Sequence, residues 1–268
     1  MKFASLGSGS NGNALLIKAA SSTAMVMLDC GFALRETERR LARMDIRPED
    51  ISAIVVTHEH SDHVGGVFKF ARRYGTPVWL TAGTYQAVID DTKKVDIRLC
   101  RDGDVLTFDS MTLMPYTVPH DAREPVQYVA SENDCKLGVL TDAGQATAHL
   151  VAALHGCDAL VLECNHDRAM LANSVYPPSV RARIGGPYGH LSNDSSAEIL
   201  AQIDKTKLHT IVAAHLSHQN NTPDLARDAL LPVIAGTACE VVIADQEDGF
   251  GWISVTKHDV TLEQRHVA

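Results

Sequence analysis

Short apolar runs separated by clusters of turn residues set the rhythm of the chain. Lys2 to Leu6 reads as a strand, and Gly7 to Asn13 is a dense turn segment. Ala14 to Lys18 and Ala24 to Leu28 read as a hairpin that Asp29 closes just before Cys30-Gly31. Arg35 to Met44 has the pattern of a charged helix, and Ile51 to Val56 is an apolar run behind Pro48. Val64 to Tyr74 predicts a helix, stopped by Gly75 and Pro77. Val78 to Leu80 is a short strand, Gly83 to Asp91 a helix, and Arg98 to Cys100, Val105 to Phe108 and Met111 to Val118 are strands. Gln127 to Ala130 and Leu137 to Leu140 pair next, followed by a helix over Gln145 to Leu154. Ala159 to Leu162 is an apolar strand, and Arg168 to Ala172 is helical. Tyr176 to Gly189 is rich in proline and glycine and carries Arg181 and Arg183, near Arg168. Ser195-Ser196-Ala197-Glu198 reads as a capping box at the start of a helix. Thr210 to Ala214 is a strand, Pro223 opens a helix to about Ile234, and Glu240 to Ala244 and Trp252 to Val255 close the chain.

Strands come in consecutive runs in each half, with helices between the runs. That order predicts an α+β fold of two packed mixed β-sheets flanked by helices. With no linker or low-complexity tract, residues 1–268 are expected to form one domain.

Composition adds exclusions. The chain is 45% hydrophobic and 21% charged, which is ordinary for a globular protein. No segment is apolar for long enough to cross a bilayer, and the first residues lack the apolar core of a signal peptide, so a cytoplasmic protein is expected. The six cysteines are scattered without a C-x-x-C pair, which argues against a disulfide framework and a cysteine-built zinc site. They read as small core residues. The formal charge of −9 argues against a broad basic face that coats nucleic acid. It leaves room for a local site whose metal ions supply the positive charge.

Thr57-His58-Glu59-His60-Ser61-Asp62-His63 is where the chemistry concentrates. It follows Ile54-Val55-Val56 and precedes Gly65-Gly66, so it sits where a strand ends in a turn. Imidazole and carboxylate are ligands for Zn²⁺ and its divalent neighbours. Alternate residues of an extended segment face the same way, so His58 and His60 can hold one ion together. Asp62 and His63, one step further on, can reach a second. His120, Asp142, Glu163 and His215 also follow strands, so strand ends meeting at one edge of a sandwich would join them to the motif. Asp29 at its own strand end is either a turn former or a carboxylate that orients a metal ligand. The Gly/Ser/Asn segment 7–13 is either a flexible loop or a row of N–H and hydroxyl groups offered to an anion.

The order of these elements resembles the metallo-β-lactamase fold hydrolases over almost the whole chain. That resemblance implies an αββα sandwich with a dinuclear site at one edge. His58, His60 and His120 would hold one divalent ion, Asp62, His63 and His215 the other, and Asp142 would bridge them. Ligands of nitrogen and oxygen suit Zn²⁺ or Mn²⁺. The stretches Ser8 to Asn13, Glu163 to Asp167, Gly189 to Asn193 and His215 to Asn221 are similar to those of the YycJ/WalJ subgroup. Members of that subgroup resemble the RNase J and RNase Z nucleases and are linked to 5′ to 3′ exonuclease activity on DNA. No room exists between Asp142 and His215 for the inserted second domain of RNase J.

The implied activity is phosphodiester cleavage at nucleic-acid ends. Two ions about 3.5–4 Å apart can share a hydroxide that attacks phosphorus. Their charge exceeds that of Asp62, Asp142 and hydroxide, so a phosphodiester is attracted despite the acidic chain. Asp62, His190 and Glu163 are the candidate catalytic residues, with His190 protonating the leaving oxygen and Glu163 orienting it, as in the Glu–His pair of RNase Z. Ser8, Ser10, Asn11, His166 and His218 are candidate substrate contacts. His149, His155, His209, His258 and His266 lack a strand-end setting and read as structural. The rival activity is hydrolysis of a thioester, lactone or small phosphodiester, since glyoxalase II-type enzymes carry a very similar motif. A metal-bound scaffold without turnover is the other rival, against which the complete ligand set speaks.

Overall fold

Side chains that alternate between two apolar environments build the molecule, which a computed structural model describes over residues 1–256. Strands β1 (Lys2–Gly7), β2 (Ala14–Lys18), β3 (Met25–Leu28), β4 (Ala53–Val55), β5 (Val78–Thr81) and β6 (Ile97–Cys100) form one sheet in chain order. The second sheet is also in chain order: β7 (Leu106–Phe108), β8 (Met111–Thr117), β9 (Val126–Glu132), β10 (Cys135–Leu140), β11 (Ala159–Glu163), β12 (Thr210–Ala214) and β13 (Glu240–Ile243). The last strand, β14 (Phe250–Ser254), returns to the first sheet and pairs antiparallel with β1. Both sheets are mixed, with β3 to β6 parallel in one and β10 to β13 parallel in the other.

The period of two decides which layer each side chain enters. Ile17, Val26, Val55, Val139, Val161 and Val212 pack between the sheets. Their neighbours Leu16, Met27 and Ile54 face helices α1 (Leu34–Arg43), α3 (Val67–Tyr74) and α4 (Ala82–Val88) on one outside. Leu160, Leu162 and Ile211 face α5 (Ala148–Leu154), α8 (Asn193–Gln202) and α9 (Pro223–Leu230) on the other. Tyr128 of β9 is fully buried, and its hydroxyl donates to the Val56 carbonyl at 3.0 Å. The Val126 N–H donates to the Thr57 carbonyl at 3.0 Å. The two sheets are thus tied together directly behind the histidine motif.

Several local expectations need correction. The helix expected over Val64 to Tyr74 is interrupted: a short α2 (Ser61–Val64) ends before Gly65-Gly66, and α3 starts after them. A Cβ on Gly66 would lie 2.0 Å from the Phe32 carbonyl oxygen, so the chain breaks where it must pass the 30–32 loop. The proline- and glycine-rich stretch 176–189 carries no helix expectation, yet it contains one. It folds into α7 (Pro178–Ile184), begun by a proline at the first turn, after the expected α6 (Arg168–Ala172). The cap of α8 is Ser192, whose hydroxyl accepts the Ser195 N–H, three residues before the expected capping box. The helix expected from Gln145 begins at Ala148, behind its Thr147 cap. All six cysteines are free; Cys30, Cys157 and Cys164 are fully buried, and burial pushes each thiol up to about 12.

Candidate active site

Parallel strands put their carboxyl ends on one edge of the sandwich, and the polar residues follow those ends. Asp29 follows β3, residues 57–63 follow β4, Asp142 follows β10, Glu163 ends β11, His215 follows β12 and His120 lies beyond β8. The ligand atoms converge. His58 Nε2 and His120 Nε2 lie 3.0 and 3.3 Å from His60 Nδ1. Asp62 Oδ2 lies 3.4 Å from His63 Nε2 and 3.5 Å from His215 Nε2. Asp142 stands between the two groups, with Oδ2 3.2 Å from His63 Nε2 and Oδ1 3.3 Å from His215 Nδ1 and 3.9 Å from His120 Nε2. Glu59, between the paired histidines, points away and accepts the Arg123 N–H at 2.8 Å.

A second set of contacts decides which ring nitrogen faces inward. Asp29 accepts from the Thr57 N–H and hydroxyl, each at 2.8 Å, and from His63 Nδ1 at 2.8 Å. With its proton given to Asp29, the Thr57 hydroxyl accepts from His58 Nδ1 at 2.9 Å. His120 Nδ1 donates to the Gly189 carbonyl at 2.9 Å. Each of these bonds leaves Nε2 as the free lone pair that a metal needs. Asp29 and His215 both sit at left-handed backbone angles, φ 60° and 56°, a sparsely populated region that carries strain for residues other than glycine. The Ser8 hydroxyl accepts the His215 N–H at 3.0 Å and holds that turn in place.

The electrostatics call for cations. Burial pushes His58 well below its ordinary value, helped by the neighbouring rings of His63, His120 and His60, and burial likewise lowers His120. Both are neutral imidazoles, the form that binds metal. Burial also opposes charge on His63 and His215. There the surrounding carboxylates win: Asp142 and Asp29 hold His63 well above its ordinary value, and Asp142, Asp62 and Glu163 raise His215 to about 10. Against burial, His215 and His63 depress Asp62, and His190 and His215 hold Glu163 down at about 2. Asp142 Oδ2 and His215 Nε2 are buried without a hydrogen-bond partner. Four buried or partly buried carboxylates, converging lone pairs and two orphaned ligand atoms fit divalent cations, which would take the place of the protons on His63 and His215.

His190 stands beside this cluster. Its Nδ1 lies 2.7 Å from Glu163 Oε1, which also lies 3.3 Å from His215 Nδ1. Glu163 is itself pinned, its other oxygen accepting the Ala143 and Leu191 N–H groups at 3.0 and 3.1 Å. His190 lines a cavity of about 230 Å³ with Ser10, His60, Asp62, Asp142, Arg183 and His215. Of the other candidate contacts, Asn11 is exposed with its N–H on Gln246, and Ser8 lies buried beneath His215. His166 lines an adjoining cavity, where burial lowers its ring to about 4, and His218 lines a third with Arg227. His149 pairs with Asp102, His155 accepts the Asp204 N–H and His209 meets the Thr210 hydroxyl, which are loop and surface partners. His258 and His266 lie outside the described residues.

Residues that sequence reasoning passed over complete the site. Asn13 Nδ2 reaches Asp62 Oδ2 at 3.3 Å and the Gly9 carbonyl at 3.1 Å. Thr57 links Asp29 to His58, and Arg183 is held by Asp121 at 3.1 Å at the cavity mouth. Their only signal in the sequence was proximity to the motifs.

A double-sheet sandwich with this ligand cluster at its edge defines the class. The chain belongs to the β-lactamase superfamily, whose domain model matches residues 25–216, and it has the metallo-β-lactamase fold, with which divalent metal binding goes. It is 33% identical over 254 residues to the exodeoxyribonuclease YycJ of Bacillus anthracis, covering 94% of this chain and 91% of that protein. In structure it is similar to the metallo-β-lactamase fold protein YhfI from Bacillus subtilis, with TM-score 0.71 and 15% identity over 94% of this chain and 98% of that one. It is also similar to Zn²⁺-bound PqqB from Methylobacterium extorquens, with TM-score 0.69 and 17% identity over 95% of this chain and 100% of that one.

Proposed function

We propose that the protein is a metal-dependent exonuclease that hydrolyses phosphodiester bonds at DNA ends. The observation that carries this reading is the positioned acid: His190, fixed by a buried glutamate, opening into the same cavity as the ligand cluster. The exodeoxyribonuclease relative over nearly the full chain supports DNA as substrate. His58, His60 and His120 would hold one divalent ion, Zn²⁺ or Mn²⁺, and Asp62, His63 and His215 a second, with Asp142 shared. Such ions activate water at neutral pH and neutralise charge on a phosphoryl group.

The chain's own residues supply the rest. Glu163 accepts the Nδ1 proton of His190, which fixes the orientation of the ring, and in the imidazolium form the opposite nitrogen also carries a proton. That nitrogen delivers its proton to the departing oxygen. Asp62 is held between two histidines and Asn13, so its carboxylate is oriented and stays ionised. Ser10 and Arg183 at the mouth are placed to contact the strand. A thioester is the poorer substrate for this geometry, because a thiolate leaves without protonation and the His190–Glu163 pair would be idle. Residues 1–268 are read as one catalytic domain without an inserted second nuclease domain, and the free cysteines suit a cytoplasmic setting. Among the described residues no helix is long and apolar enough to cross a membrane.

The test is direct. Protein loaded with Mn²⁺ or Zn²⁺ should bind two ions per chain and release nucleotides from DNA ends, and chelation should abolish release. Ready hydrolysis of a glyoxalase-type thioester with every DNA end left intact would sink the proposal.

A further inference from the structure

The Gly/Ser/Asn segment of residues 7–13 is held from both sides, and its N–H groups are spent inside the protein. Ser8 donates to the Asp245 carbonyl at 3.1 Å, Gly9 to Asn13 Oδ1 at 2.8 Å and Asn11 to Gln246 Oε1 at 3.2 Å. Gly12 donates to the Gly9 carbonyl at 3.0 Å and Asn13 to the Asp62 carbonyl at 2.8 Å. With these donors taken, the segment is a clamp rather than a cradle for an anion. On its inner side Asn13 Nδ2 reaches Asp62 Oδ2 at 3.3 Å, and Ser10 lines the cavity over the ligand cluster. On its outer side lies Gln246, 235 positions from Asn11 and only 5% exposed. Gln246 Nε2 donates to the Gly12 carbonyl at 3.4 Å while Oε1 takes the Asn11 N–H. A backbone N–H needs an oxygen opposite it and a carbonyl needs a donor, so the two partners fix which way the amide faces. A Cβ on Gly9, at φ 147°, would fall 2.3 Å from Gln246 Oε1, so glycine there lets the amide lie against the chain. The turn that carries Gln246 is fixed in its own right. Arg40 of α1, 3% exposed and 4.0 Å from the Phe32 ring centroid, donates to the Leu6 and Glu247 carbonyls at 2.7 and 2.5 Å. Asp245 accepts the Glu247 and Asp248 N–H groups at 2.7 and 2.8 Å.

We propose that Gln246 is a positioning residue of the metal site, which acts through Asn13 on the Asp62 carboxylate. Its amide bonds the backbone of the two residues before Asn13 and bridges them to the turn that Arg40 fixes. Without the amide, residues 10–12 lose their outer support, and Asn13 Nδ2 is no longer held against Asp62. A carboxylate that is already oriented binds a cation without first being ordered, so the loss appears as metal affinity. The inference goes beyond the nuclease reading. It needs only that the cluster binds divalent metal, which goes with the fold, and it holds whatever the substrate.

The test is a double-mutant cycle read as affinity for Mn²⁺ or Zn²⁺ by competition with a chelator, so no substrate enters it. Asn13→Ala should weaken binding about 10–100-fold, the range for groups that orient ligands. Gln246→Met keeps the length and bulk of the side chain but neither hydrogen bond, and it should weaken binding about tenfold, the low end of that range. The double variant should lose no more than Asn13→Ala alone, because the amide acts through Asn13. Urea denaturation of each metal-free variant keeps the comparison to protein that is folded before metal is added. A merely structural role lowers stability and leaves the affinity of that folded protein unchanged. Unchanged affinity in Gln246→Met therefore overturns the proposal, and so do losses that multiply in the double variant. Should Gln246→Met fail to fold, Gln246→Asn, whose amide is one methylene short of the loop, runs the same cycle with the same expected outcomes. Coupled losses of metal affinity in a protein that leaves every DNA end intact support the role of Gln246 and defeat the nuclease reading.

Discussion

His190 and Thr57 show how single side chains divide the labour at this edge. His190 has its ring on Glu163 rather than on the motif histidines that Thr57 orients. His190→Ala is expected to keep the bound metal and lose about 10²–10⁴-fold in turnover, the range for a general acid. The loss should be smaller on a p-nitrophenyl phosphodiester, whose leaving group needs little protonation; parallel kinetics and metal analysis check this. Thr57 touches no ligand cavity, yet its hydroxyl bonds both Asp29 and His58. Thr57→Val removes that link, and metal affinity should fall about 10–100-fold, measured by competition with a chelator. The histidines and aspartates were legible as chemistry because the residue type itself is the signal. Thr57 and Asn13 were not, since threonine and asparagine are common turn residues and only contacts reveal what they hold.

The loops of residues 9–13, 29–32 and 58–66 depend on one another as elements. Gly31 donates its N–H to the Asn13 carbonyl, Asn13 donates to the Asp62 carbonyl, and Cys30 accepts from Gly66. A Cβ on Gly31 would fall 1.8 Å from the Asp62 carbonyl oxygen, a backbone atom with no room to yield. Gly31→Ala should therefore cost about 3 kcal/mol of stability and displace Asp62 from the ligand cluster. Urea denaturation and metal stoichiometry test the two consequences separately. Strands were legible from their apolar runs, and most expected boundaries hold within two residues. Helix α7 was hidden because proline and glycine flank it, and sequence pattern cannot tell a proline that starts a helix from one that prevents it. The arginines it carries, Arg181 and Arg183, were visible as cations, but their places at the adjoining cavity and the site mouth follow only from the fold.

At the scale of the whole molecule, charge is buried away from the site as well. Glu132 at the far end of β9 accepts the Ala20 and Ser21 N–H groups at 2.7 and 2.9 Å and the Ser110 hydroxyl at 2.7 Å, and it pairs with the Met1 amino group at 3.2 Å. Burial alone would raise its carboxyl, but these donors outweigh it and hold it down at about 2, from an ordinary 4.5. A carboxyl depressed in the folded state stabilises the protein fully above its unfolded value, and the contribution fades as pH falls from about 4.5 to about 2. Stability should drop across that window in urea titrations, and Glu132→Gln should flatten the drop. No unfolding difference between pH 5 and pH 2.5 would contradict the assignment.

The sequence by itself determined the layers and the chemistry. Alternating apolar residues commit each strand to an inner and an outer face, and the strand-end histidines and carboxylates commit the chain to metal ligation, because both follow from local spacing and residue type. Tertiary structure alone decided the rest. Asp142 reaches His63 only because β4 and β10, in different sheets, end at the same edge, a juxtaposition between residues 79 positions apart that no local pattern encodes. The inward nitrogen of each ring is chosen by partners as distant as Asp29 and Gly189, and the adjoining cavity that Arg168 and Arg181 line exists only once α6, α7 and α8 pack beside His190. Ligand type is a property of side chains, whereas distance, tautomer and access are properties of the packed fold.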